Sequence, residues 1–62
     1  MEGWKYYEGK KVYIILKNQR KYSGIVLEVE RGEILSWITI RDKFGARISF
    51  STEEIELMEE ER

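Results

Sequence analysis

Cysteine, histidine and proline are all absent from this 62-residue chain, and each absence excludes something. Without cysteine, no disulfide can staple the fold. Without cysteine or histidine, the common zinc ligand sets cannot be assembled. The usual nucleophile–base pairs of covalent catalysis lose their commonest members as well. Without proline, no strand is demoted to an edge on that ground. No run is long and apolar enough to span a membrane, and Met1-Glu2-Gly3-Trp4 lacks the apolar centre of a secretory leader. The expectation is a soluble, cytoplasmic protein without metal or cofactor.

A chain of this size makes one domain at most, close to the lower limit for folding without staples. Its core must stand on packing alone, or on packing shared with other copies of itself. Side-chain amides are scarce, Asn18 and Gln19 being the only two, while charged residues make up 37% of the chain. That combination is expected of a protein from a hot environment, such as a thermophilic archaeon, where ion-pair networks gain value and labile amides are avoided. The net charge of −1 is unevenly spread: residues 1–32 carry +3 and residues 33–62 carry −4. A protein that coats DNA non-specifically would be basic throughout, because phosphate neutralisation drives that binding. DNA is therefore a poor candidate partner.

The positive signal is an alternation of period two. Val12, Ile14 and Leu16 share one face of a strand over residues 11–16, with Tyr13 and Ile15 on the other. After the polar turn Asn18-Gln19-Arg20, a second strand spans residues 22–30, with Ile25, Leu27 and Val29 expected on one side and Gly24, Val26, Glu28 and Glu30 on the other. Gly24 weakens that strand unless a bend or a close backbone approach requires it. Residues 34–41 form a third strand, Trp37 and Thr39 opposing Ile38 and Ile40. The turn Asp42-Lys43-Phe44-Gly45 ends on a glycine suited to positive φ. A fourth strand covers residues 46–50, with Ile48 and Phe50 on one face. Ser51-Thr52-Glu53-Glu54 has the Ser-x-x-Glu capping-box spacing of a short helical turn, and residues 55–58 form a fifth strand with Ile55 and Leu57 inward. Residues 1–8 are a helical turn or an extra edge strand, and residues 59–62 a solvated acidic tail. Five short strands, tight turns and a bend glycine describe an all-β small barrel over residues 9–58.

From Gly9 to Val26 the chain resembles the opening of the Sm-like family: a strand, a short Asn-Gly-Arg-type turn, and a second strand with an apolar-x-Gly-apolar bend. Ile48 to Met58 is similar to that family's closing strands. The resemblance implies a five-stranded SH3-like (Sm-like) barrel with a short helical turn before the last strand, a non-catalytic RNA-associated role, and possible assembly into homo-oligomeric rings. The departures are specific. Gln19 stands where the family turn has Gly, residues 30–35 lack the Asp and Asn of the base-holding loop, and Ser51-Thr52 replaces an Arg-Gly pair. The residues of the family's uridine pocket are thus missing, and fold-level likeness does not carry that chemistry over.

No catalytic constellation stands out. Ser23, Ser36, Ser49 and Ser51 have no base in sequence context, and phosphate-cradling Gly-rich loops are absent. Aromatics are 13% of the chain, and exposed rings beside cations are the usual equipment for holding single-stranded RNA. Two basic turns are candidates for RNA or partner binding: Lys17, Arg20 and Lys21 around the first, and Arg41, Lys43, Phe44 and Arg47 around the second. Trp37 and Phe50 are expected as large core or subunit-interface fillers. Trp4, Tyr6 and Tyr7 either cap an open end of the fold or meet a partner. A protein-interaction or assembly module without nucleic acid is the alternative function.

Overall fold

The structure, a computed structural model, describes residues 4–61. It is all-β: strands β1 (Lys11–Leu16), β2 (Lys21–Arg31), β3 (Ser36–Arg41), β4 (Arg47–Ser51) and β5 (Ile55–Glu60). Short 3₁₀ turns at Lys5–Tyr7 and Thr52–Glu54 are the helical elements among the described residues. The described part of the leading segment, residues 4–8, thus holds a helical turn and no strand. Residues 1–3 and Arg62 lie outside the described residues, as does that part of the N-terminal segment and acidic tail. No helix of the described chain is long and apolar enough to cross a membrane.

All strands join one antiparallel sheet in the order β4-β3-β2-β1-β5. Strand β2 is the spine. Its first half, to Ile25, pairs with β1, and its second half, from Ile25 onward, pairs with β3. The inner face collects Val12, Ile14 and Leu16 of β1, Val26 and Val29 of β2, Ile38 and Ile40 of β3, Phe50 of β4 and Ile55 of β5. Val12, Ile14, Ile38 and Ile40 are wholly inaccessible to solvent. Among the described residues no second sheet or long helix covers that face, and apart from Trp4 and Tyr7 it is the sheet's own strands that bury it, each apolar side chain contributing about 1.5–3 kcal/mol of transfer free energy.

Two bulges set which residues face in. Val26 opposes Ile40 and Glu28 opposes Thr39, so Leu27 is an extra residue in β2. The alternation changes phase there: Val26 and Val29 are buried, whereas Ile25 is 40% exposed. This corrects the expected face of Ile25, Leu27 and Val29, which holds only for Val29. In the same way Leu16 opposes Ile55 and Ile15 opposes Leu57, leaving Glu56 extra in β5. Leu57 turns outward and Met58 packs on the core in its place. A bulge inserts one residue and sharpens local twist, which is what a small curled sheet needs.

The acidic end is also more ordered than a solvated tail. Glu59 pairs with Tyr13 and Glu60 with Val12, and the Glu61 amide donates to the Lys11 carbonyl at 2.8 Å. The capping box forms as the spacing predicts: the Glu54 carboxylate accepts from the Ser51 amide at 3.4 Å and from its hydroxyl at 3.1 Å.

Candidate functional site

The β3–β4 hairpin is built around Asp42. Its amide donates to the Ala46 carbonyl at 2.9 Å, and its carboxylate accepts the amides of Phe44 and Ala46, both at 2.9 Å. Gly45 completes the loop at φ +87° and donates to the Asp42 carbonyl at 3.0 Å. With the turn's backbone satisfied internally, Phe44 is held out into solvent, 84% exposed. The Lys43 ammonium lies 5.3 Å from the Phe44 ring centroid, within cation–π range. At the base of the tip, Arg41 and Arg47 face each other across the strands. Like charges opposite one another cost stability. Neither arginine makes an ion pair among the described residues.

The β1–β2 turn differs. Gln19 adopts φ +74°, so the left-handed residue is Gln19 and not Asn18, whose carboxamide oxygen instead accepts the Arg20 amide at 3.0 Å. The Lys17 amide donates to the Glu54 carbonyl at 2.8 Å, tying this turn to the second 3₁₀ turn. Lys17 therefore lines a cleft of about 270 Å³ whose other wall is Glu53 and Glu54. Those carboxylates oppose anion binding. Arg20 and Lys21 are exposed beside it.

The two basic turns do not share a groove. Arg41 and Lys43 line a separate open groove of about 670 Å³ with Lys11, Ser23, Gly24, Ile25, Asp42, Gly45 and Glu61. Gly24 acts here as a point of close approach: a Cβ at that position would lie 2.9 Å from the Arg41 carbonyl carbon.

The aromatic set separates by role. Phe50 is buried and packs against Tyr22 at 5.0 Å between centroids. Trp37 does not fill the core: it is 42% exposed, on the outer face opposite Glu30 and Ser51, because Ile38 and Ile40 take the inward positions of β3. Trp4 and Tyr7 pack against the core, whereas Tyr6 stays exposed. The Tyr6 hydroxyl donates to Glu60 at 3.1 Å, and the Lys10 ammonium sits 4.8 Å from its ring centroid. That hydrogen bond, together with the Glu60 charge, raises the Tyr6 pKa above its ordinary 10.0.

No protein-family model, no curated protein and no solved structure matches the chain significantly. Among the described residues, no group of three or more carboxylates converges to hold a metal ion. Lys11, Ile25 and Glu61 are the site residues that sequence reasoning missed. They come from β1, β2 and the end of β5, and only the strand register brings them beside the hairpin. The sequence carries no signal for them, because the period-two alternation groups Ile25 with Val29 and does not mark the bulge at Leu27 that separates their faces.

Proposed function

We propose that this chain is a non-catalytic small barrel of the SH3-like, Sm-like type that binds single-stranded RNA through its β3–β4 hairpin. Support for a barrel comes from the single five-stranded sheet with one buried apolar face, the division of β2 between two halves at Ile25, and the capped 3₁₀ turn joining β4 to β5. The observation that carries the RNA reading is the hairpin tip: an 84% exposed Phe44 beside Lys43, above the facing Arg41 and Arg47, neither paired to a carboxylate among the described residues. An exposed ring offers a stacking surface that tolerates any base, and free guanidiniums bind phosphate in charge-assisted fashion. The absent uridine-pocket residues fit this mode, which reads stacking and backbone in place of base edges.

A titration of short fluorescent single-stranded RNAs, uridine-rich ones included, followed by anisotropy at two salt concentrations, tests the reading. Salt-sensitive binding that Phe44→Ala and Arg47→Ala weaken is expected. No binding at low salt, or binding indifferent to both substitutions, overturns it. In that case the protein-interaction alternative takes over, favoured by the outward Trp37, Leu57 and the 91% exposed Ile34.

A further inference from the structure

We propose that the groove beside the hairpin is a second nucleotide subsite, formed by Lys11, Ile25 and Arg41, and that Glu61 competes with RNA for it. The inference rests on the RNA reading of the hairpin and extends it to the next nucleotide along the strand.

The strand register carries the inference. Lys11 pairs with Ile25, Ile25 pairs with Arg41, and Arg41 pairs with Arg47. These four residues form one row across four adjacent strands. All four are exposed on the outer face, since directly opposed residues share a face. Neighbouring strands lie about 4.8 Å apart, so Lys11 and Arg41 flank Ile25 at a separation of roughly 10 Å. A cation, an apolar side chain and a second cation in line match a phosphate, a base and a second phosphate. The groove lined by Lys11, Ile25 and Arg41 of this row holds about 670 Å³, within the usual range for a small-ligand site. Ile25, 40% exposed at its floor, offers the groove an apolar surface. Ser23 adds a hydroxyl at its wall.

Glu61 stands at the end of the row. Its amide is pinned to the Lys11 carbonyl at 2.8 Å, and its carboxylate lies 4.0 Å from the Lys11 ammonium. Both side chains are substantially exposed, 65% for Lys11 and 39% for Glu61, so the pair is weak and readily exchanged. A phosphate arriving at Lys11 meets a carboxylate already there. The carboxylate lowers the affinity of this subsite without closing it.

The test compares a uridine dinucleotide with a longer oligouridylate on the full chain and on Lys11→Ala, Ile25→Ser, Glu61→Gln and Phe44→Ala. Lys11→Ala and Ile25→Ser are expected to weaken the longer RNA by about three- to tenfold, whereas the dinucleotide, which reaches Ile25 but has no second phosphate for Lys11, weakens with Ile25→Ser and not with Lys11→Ala. Lys11→Ala also flattens the log–log salt dependence by about 0.7. Glu61→Gln tightens the longer RNA several-fold, a gain that damage to the fold cannot produce. If Phe44→Ala weakens binding while the other three substitutions leave the longer RNA untouched, the subsite is refuted and the hairpin reading stands. If no RNA binds, both fall.

Discussion

Gly24 and the carbonyl of Arg41 meet backbone to backbone, at the place where β2 passes from its pairing with β1 to its pairing with β3. A Cβ on Gly24 would fall within 2.9 Å of the Arg41 carbonyl carbon and 3.2 Å of the Asp42 Cα. Both are backbone atoms, which cannot swing aside as a flexible side chain can. Gly24→Ala is therefore expected to destabilise the domain by about 2–3 kcal/mol, the cost of overpacking a close contact. Urea unfolding of the variant measures it, and a change below about 0.5 kcal/mol, the size of an ordinary surface substitution, would show that the approach is not a constraint.

What the sequence reveals of this fold depends on whether a feature is local. The Ser51–Glu54 capping box, the Gly45 turn and the inward face of β1 are fixed by residues close in the chain, and each reads directly. The requirement at Gly24 is also legible, because a glycine in a strand asks for a reason. The faces of β2 and β5 are not. An extra residue at Leu27 and another at Glu56 shift the alternation, and period two has no means of marking a bulge in advance. The row from Lys11 to Arg47 is less legible still, since it exists only once the register is known.

Gln19 carries a second conformational cost. Its φ of +74° is a conformation that glycine adopts freely and other L-residues adopt at about 1–2 kcal/mol. Gln19→Gly removes that cost but adds freedom to the unfolded chain, so the net gain is about 0.5 kcal/mol, or roughly 2–4 °C in melting temperature for a domain of this size. Gln19→Val, β-branched at positive φ, should lower the melting temperature. Thermal unfolding that ranks the two variants in the reverse order would refute this account of the turn.

Glu8 replaces a missing strand neighbour. Its carboxylate accepts the amide of Val29 at 3.0 Å, just past the β2 bulge. Glu8→Ala leaves that partly buried amide without an acceptor and should cost about 1–2 kcal/mol. Glu8→Gln keeps an acceptor oxygen and should recover most of the loss. The Lys5–Glu8 ion pair, 3.5 Å long and well exposed, contributes little. Lys5→Ala is therefore the control expected to be nearly silent in the same denaturation assay.

Tyr6 reports on the acidic end of β5. Its phenol donates to Glu60, and that hydrogen bond and the adjacent charge both favour the neutral form, so the folded pKa lies above 10.0. The sign follows: the contact is intact below the unfolded-state pKa and is lost as pH rises through the raised folded value. An ultraviolet titration of tyrosinate should show a late transition that disappears in Tyr6→Phe and moves down in Glu60→Gln. Persistence of that transition in Tyr6→Phe would assign it elsewhere.

The facing pair Arg41–Arg47 sets stability against binding, and one substitution separates the two. Two guanidiniums opposite each other, with no carboxylate partner among the described residues, repel across the hairpin. Arg47→Glu converts that repulsion into attraction and should raise stability by up to about 1 kcal/mol. If the arginines are there to hold phosphate, the same change should remove RNA binding, because a contact is lost and a negative charge is placed beside the strand. Lys11, Arg41, Lys43 and Arg47 together predict a log–log salt slope of about −2.8 for a single-stranded RNA long enough to reach all four, and Arg47→Ala should flatten it by about 0.7. Equilibrium binding across a salt series, run beside thermal unfolding of the same samples, gives both quantities. A variant more stable and unable to bind identifies the arginine pair as retained for its ligand. One more stable with binding intact would move the phosphate contacts off this hairpin.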